Sequence, residues 1–213
     1  MLKESAKFIT LEGMEGAGKS TNLAYICEFF DKQKIKYRVT REPGGTEVAE
    51  KIRDVLLCHH DEPLHPMCEL LLIFAARAQH IEQVIKPALA NGEWVLSDRF
   101  TDATYAYQGQ GRQLGGDKVE LLERFVQGDL KPDLTIILDV PVELSAERVR
   151  GRGELDRFEV EPAAFFQRVR DAYHQRAASD ANRYRLIDAS QTLPQVQADL
   201  QVVLDNVQLF QGQ

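Results

Sequence analysis

Residues Gly13-Met14-Glu15-Gly16-Ala17-Gly18-Lys19-Ser20 fit the pattern G-x-x-x-x-G-K-[ST]. Glycines at this spacing let successive main-chain N–H groups turn inward around an anion, and a helix starting there adds the positive end of its dipole. Lys19 is expected to reach the β- and γ-phosphates of a nucleoside triphosphate as a point charge. The Ser20 hydroxyl is expected to hold Mg²⁺, and Thr21 extends the binding segment, Gly13 through Thr21, into the helix. Phe8-Ile9-Thr10-Leu11 before the motif is a short β-prone run. After it, Leu23, Ile26, Cys27 and Phe30 recur at helical spacing, so the loop sits between a strand and a helix. The motif names the phosphoryl donor and leaves the acceptor open.

Other candidate residues also fall where strands end. Trp94-Val95-Leu96-Ser97 runs into Asp98-Arg99, an apolar strand followed by a carboxylate suited to Mg²⁺ or its water shell, with a cation beside it. Arg41-Glu42-Pro43-Gly44-Gly45-Thr46 makes a sharp loop, Thr46 can cap the next helix, and Arg41 or Arg53 near the phosphate loop suits an anionic acceptor. Arg77 closes the apolar run Leu70–Ala76; it either meets an anion or polar ligand edge, or is solvated past the core. Arg148, Arg150, Arg152 and Arg157 flank two glycines, which reads as a mobile cationic lid at about 148–160 rather than an idle charge run. The five histidines show no triad or metal spacing.

The elements that position these residues alternate along the chain. Strands are predicted at about 7–12, 37–41, 93–97, 134–139 and 184–188, with helices between them, and a long helix from about 67 to 91. This predicts an α/β fold of three layers, a five-stranded parallel sheet with helices on both faces, in a single domain spanning 1–213. Ligands of such sheets bind beyond the carboxyl ends of the strands. The net charge of −7 over 213 residues argues against a general nucleic-acid binder. Three cysteines in helix-like contexts without metal spacing are expected to be buried, reduced thiols. The polar N-terminus and the lack of a long apolar run predict a cytoplasmic protein with no membrane segment.

Taken together and in this order, Glu12–Ser20, Arg41–Thr46, Phe74-Ala75-Ala76-Arg77, Asp98-Arg99-Phe100, Tyr105–Gly109 and the arginine-rich segment resemble the bacterial thymidylate kinases over essentially the whole chain. The resemblance implies a P-loop nucleoside monophosphate kinase fold. It also implies Mg²⁺-dependent transfer of the ATP γ-phosphoryl group to dTMP, giving dTDP on the way to dTTP, and a homodimer formed through the Leu70–Ala76 helix. It implies that Glu15 sits near the sugar 3′-hydroxyl, and that Arg53, Arg77 and Arg99 surround the acceptor phosphate and thymine. Thr104 and Gln108 would face the polar edge of the base, and Tyr107 the deoxyribose, disfavouring a 2′-hydroxyl. Lys19, Arg99 and Glu15 would be catalytic together with a lid cation, Arg152 or a neighbour, and Ser20 and Asp98 would serve the metal. Relatives often place Phe four residues before the arginine matched by Arg77; here Ile73 is four before and Phe74 three before. Either aliphatic packing replaces the aromatic stack or Phe74 turns in, and the helix phase favours Ile73. Two rivals remain: a kinase of the same fold for another monophosphate, and a nucleotide-hydrolysing switch. For a guanine-specific switch, no Asn-Lys-x-Asp base motif appears at the strand ends.

Overall fold

The computed structural model describes residues 6–150 and 155–209. Its centre is β1 (Phe8–Glu12), every residue of which is buried. On one side lie β3 (Trp94–Asp98) and then β2 (Tyr37–Arg41), on the other β4 (Leu134–Asp139) and then β5 (Tyr184–Asp188), all parallel in the order β2-β3-β1-β4-β5. The predicted strands match these to within a residue at each end. Parallel strands need both faces covered, which is why β1, β3 and β4 read as unbroken apolar runs rather than alternating ones.

Side chains alternate across the sheet. Ile9 and Leu11 join the larger core with Ile26 and Phe30 of α1 (Lys19–Lys32) and Leu200 and Leu204 of α9 (Leu193–Leu209). Phe8 faces the other way, edge-on to Phe100 at a centroid distance of 4.9 Å, and packs with Val95, Ile81 and Ile85. Each such fully buried side chain contributes roughly 1.5–3 kcal/mol.

The connection from β2 to β3 carries α2 (Glu47–Leu57) and α3 (Pro66–His80). Thr46 caps α2, its hydroxyl accepting from the Ala49 N–H at 3.1 Å. The predicted 67–91 helix is one rod made of α3, a π-helical turn over Ile81–Ile85 and the short α4 (Lys86–Ala90). After β3 come α5 (Thr101–Thr104), a second π-helical stretch over Tyr105–Gly111, and α6 (Gly116–Gln127). In the second half, α7 (Val142–Val149) follows β4 and α8 (Ala163–Ser179) leads into β5.

The cysteines differ from expectation. Cys27 is half-buried, while Cys58 and Cys68 are exposed; all three are free thiols. Cys58 lies past the last turn of α2, and Cys68 occupies the first turn of α3 beside the buried Glu69, on the side facing solvent. Leu71 and Ala75 are likewise exposed on α3, so its apolar run is not covered all round. Among the described residues, no helix is long and apolar enough to cross a membrane.

Candidate active site

The glycine loop leaves the carboxyl end of β1 and is clamped from outside. At Gly13 the backbone φ is +136° and a Cβ would lie 2.6 Å from the Leu138 carbonyl oxygen. At Gly16 φ is +74° and a Cβ would lie 2.7 Å from the Ser145 carbonyl oxygen, so α7 rests directly on the loop. The Ser145 hydroxyl donates to the Glu15 carbonyl at 2.6 Å, and an Arg148 Nη1 donates to the Ala189 carbonyl at 2.9 Å. No acidic residue occupies the first turn of α1, leaving its positive end free for an anion.

Lys19 folds over the loop and donates from Nζ to the carbonyls of Gly13 at 3.0 Å and Met14 at 2.9 Å. Burial, then the nearby Arg99 charge, bring its ammonium down to about 8, with Asp98 and Glu15 opposing the fall. Ser20 and Thr21 are exposed at the start of α1. Gly16, Gly18, Asn22, Arg148, Ala189 and Gln191 border a groove of about 760 Å³ running from the loop toward the end of β5.

On the other side of the loop stands a cluster of charge. Glu15 accepts from the Tyr107 hydroxyl at 2.6 Å and pairs with Arg99, whose Nη2 also donates to the Tyr107 oxygen at 3.0 Å. Burial alone would raise the Glu15 carboxyl; Arg99, Lys19 and the Tyr107 hydroxyl overcome it and hold the group at about 2. Arg99 has φ +68°, a left-handed conformation that costs a non-glycine residue about 1 kcal/mol or more. It is held there by its N–H on the Leu11 carbonyl at 3.0 Å and by the Ser97 hydroxyl on its own carbonyl at 2.7 Å. The next N–H, of Phe100, donates to Glu12 Oε1 at 2.8 Å, and the Tyr173 hydroxyl donates to Oε2 at 2.9 Å. Burial and the Asp102 charge push Glu12 up to about 8.

A cavity of about 570 Å³ opens from Glu15 and Arg99. Arg53, Ile73, Arg77, Thr104, Tyr107 and Gln108 all line it, together with Asp156 and Phe158. Arg53 donates from Nη1 to the Pro43 carbonyl at 2.9 Å. Arg77 is 1% exposed; it donates from Nε to Glu42 at 2.7 Å and from Nη2 to Thr104 at 2.8 Å, and its Nη1 is buried without a partner among the described residues. Phe74 does not line the cavity: it packs with Leu70 and Val119, and the Arg77 guanidinium lies 4.7 Å from its ring centre. Ile73 takes the facing position. Arg41 is turned to solvent on Glu50 at 2.7 Å.

Sequence reasoning missed the supports. Glu42 bonds His80 Nδ1 at 2.8 Å, and His80 Nε2 lies 2.6 Å from the Thr40 hydroxyl, so a buried chain runs from β2 through His80 and Glu42 to Arg77. Glu69 and Glu12 were missed as well. No spacing marks any of them, although an acid inside an apolar strand or helix is itself a signal that a cation or N–H awaits it. Of the arginine-rich segment, Arg148 and Arg150 end α7 and Arg157 reaches back to the Leu56 carbonyl from Nε at 2.9 Å. Arg152 lies outside the described residues.

The donor set fits Mg²⁺. Oδ1 of Asp98 is buried without a hydrogen-bond partner, and no group of three or more His, Cys, Asp or Glu among the described residues forms a dedicated cage. One carboxylate plus a hydroxyl is the sparse protein ligation expected of Mg²⁺ that arrives with phosphates.

The sequence profile of the thymidylate kinase family matches residues 11–200. A thymidylate kinase of Ectopseudomonas mendocina is 58% identical over 200 residues, 94% of this chain and 95% of its own. Thymidylate kinases of Pseudomonas savastanoi pv. phaseolicola and Pseudomonas putida F1 are 58% and 56% identical, over 92% and 95% of this chain and 94% and 97% of their own.

Proposed function

The chain belongs to the thymidylate kinase family, and from that premise we propose how its residues move the γ-phosphoryl group of ATP to dTMP, giving dTDP. ATP lies with its phosphates on Gly13–Thr21 and its base in the groove between Arg148 and Ala189–Gln191. dTMP fills the cavity on the far side of the loop, its phosphate toward Arg53 and Arg99, its 3′-hydroxyl toward Glu15, its base toward Arg77 and Gln108. The observation that carries this reading is the cavity itself. Its lining joins Glu15 of the phosphate loop and Arg99 to Arg77, whose Nη1 is buried with no partner among the described residues.

Both substrates are anions, so the task is to hold repelling phosphates in line and neutralise the charge spread over the transferring group. Lys19 swings from the Gly13 and Met14 carbonyls onto the donor phosphates. Arg99, fixed by Glu15 and Tyr107, bridges donor and acceptor. Arg152 or a neighbour supplies the lid cation, an arginine role worth roughly 10³–10⁵ in rate. Ser20 and Asp98 would hold Mg²⁺, which when bound would supply further neutralisation of the phosphate charge. The acceptor phosphate is already a nucleophile and needs no general base. Asp156 and Phe158, which line the cavity, belong to a lid at about 148–160 of the single domain that excludes water from the site.

The test is ADP release from ATP with dTMP, dUMP, dGMP and dCMP in parallel, with and without Mg²⁺. Fastest turnover on dTMP, lost without the metal, is expected. Preference for another monophosphate, or hydrolysis indifferent to any acceptor, would refute the assignment. Leu71 on α3 is exposed within the apolar Leu70–Ala76 run, and α6, which packs on α3, also exposes Leu121 and Phe125, so we place the homodimer interface through α3. Sedimentation as a monomer at micromolar concentration would refute it. The free thiols fit the reducing cytoplasm.

A further inference from the structure

Glu69 is fully buried in the first turn of α3 but does not line the cavity. Three groups converge on it. Gln108 Nε2 donates to Oε1 at 2.7 Å, Arg112 Nε approaches the two oxygens at 3.2 and 3.3 Å, and an Arg157 nitrogen lies 2.7 Å from Oε2. Arg112 also pairs with Glu161, and Arg157 sits over the Phe158 ring at 4.5 Å. One carboxylate therefore joins the helix that carries Arg77, the π-helical stretch that carries Gln108, and the segment from which Asp156 and Phe158 line the cavity.

The chemistry of that joint has a directional consequence. A carboxylate offers acceptors only, so a side-chain amide facing it must present its NH₂. Gln108 is thereby fixed with its carbonyl oxygen turned away from Glu69. That oxygen accepts from no side chain among the described residues, while the side chain borders the cavity. Arg77 lines the same cavity, is bonded through Nη2 to Thr104 on the turn before Gln108, and has no partner for Nη1 among the described residues. The cavity lining thus supplies both an acceptor and a donor. A pyrimidine with a ring N–H beside a carbonyl satisfies both. A pyrimidine with a bare ring nitrogen beside an amino group meets acceptor with acceptor and donor with donor.

We propose that Glu69 is a positioning residue that sets pyrimidine specificity, locking the Gln108 amide so that aminopyrimidine monophosphates are refused. The inference rests on the dTMP reading above and deepens it. Without the lock the amide rotates and presents its NH₂ to the cavity.

The experiment compares kcat/KM for dTMP and dCMP in the full chain and in Glu69→Gln, Glu69→Asp and Arg112→Gln. A glutamine at 69 accepts either orientation of Gln108, so the dTMP-over-dCMP ratio is expected to fall roughly tenfold to a hundredfold, mainly through a lower KM for dCMP. Glu69→Asp keeps a counter-charge for the arginines but withdraws it from Gln108, and the ratio falls there too, which covers the case in which Glu69→Gln does not fold. Arg112→Gln removes the ion pairs with Glu69 and Glu161 and leaves the Glu69–Gln108 bond; its ratio stays at the wild-type value even where its Tm drops. An unchanged ratio in both Glu69 variants, or an equal fall in Arg112→Gln, overturns the proposal. A wild-type chain that does not prefer dTMP overturns the substrate reading instead.

Discussion

Replacing Arg77 by methionine, alone and together with Glu42→Gln, separates holding the site from reading the base. Arg77 and Glu42 are an ion pair at 2.7 Å with side chains 1% and 3% exposed. Arg77→Met leaves the Glu42 charge in the interior with only His80 beside it, at 2.8 Å. Breaking a buried pair from one side costs about 3–5 kcal/mol, a large share of the roughly 5–15 kcal/mol that holds a domain folded. In a chain of 213 residues that lowers Tm by about 6–20 °C. Removing both charges eliminates the orphan, so the double variant recovers most of the loss. Binding follows a different course. The free Nη1 of Arg77 is a charged donor worth about 1.5–3 kcal/mol to a carbonyl on the base, so dTMP affinity falls roughly tenfold to 150-fold in both variants. Urea denaturation reads the first effect and calorimetric titration of dTMP the second. A double variant that regains dTMP affinity along with stability would refute the claim that Nη1 reads the base.

Lys19→Ala should cut turnover by at least a hundredfold with little change in Tm, because among the described residues Nζ bonds only the loop carbonyls of Gly13 and Met14; near-normal turnover removes Lys19 from the mechanism. Glu12 is pushed up to about 8 from an ordinary 4.5, so its protonated form favours the fold, fully below pH 4.5 and progressively less as pH rises through 8. Wild type should therefore lose stability relative to Glu12→Gln between pH 5 and pH 8, and parallel Tm curves would contradict this. Asp98→Asn should raise the Mg²⁺ concentration for half-maximal turnover several-fold while leaving the dTMP KM unchanged; an unshifted Mg²⁺ curve would exclude the carboxylate from the metal site.

The three central strands were legible because a strand buried on both faces is written as an apolar run with a polar residue at its end, as in Trp94–Asp98 and Leu134–Asp139. The phosphate loop was legible because its chemistry is local: main-chain geometry needs glycine at fixed offsets. Ile73, Arg77, Thr104, Tyr107 and Gln108 do come together around one cavity, but residue identity alone could suggest this only through resemblance. Glu12, Glu42, Glu69 and His80 were silent. Each finds its partner across long stretches of chain, Glu12 with Tyr173 and Glu42 with Arg77, and no periodicity records a contact of that kind. The two π-helical turns were equally silent, since an ordinary helix has the same composition.

One of those turns carries Tyr107 and Gln108, and its last bond runs from the Arg112 N–H to the Tyr107 carbonyl at 2.7 Å, five residues back. Such a turn is an α-helix with one surplus residue. Excising Ala106 would restore ordinary bonding and make a sounder helix, yet it would rotate every following side chain by about 100° about the axis. The hydroxyl that grips Glu15 and the amide that meets the base would both point elsewhere. An outer loop can be lengthened or trimmed without turning these side chains, but between Thr104 and Arg112 the residue count is itself part of the machinery.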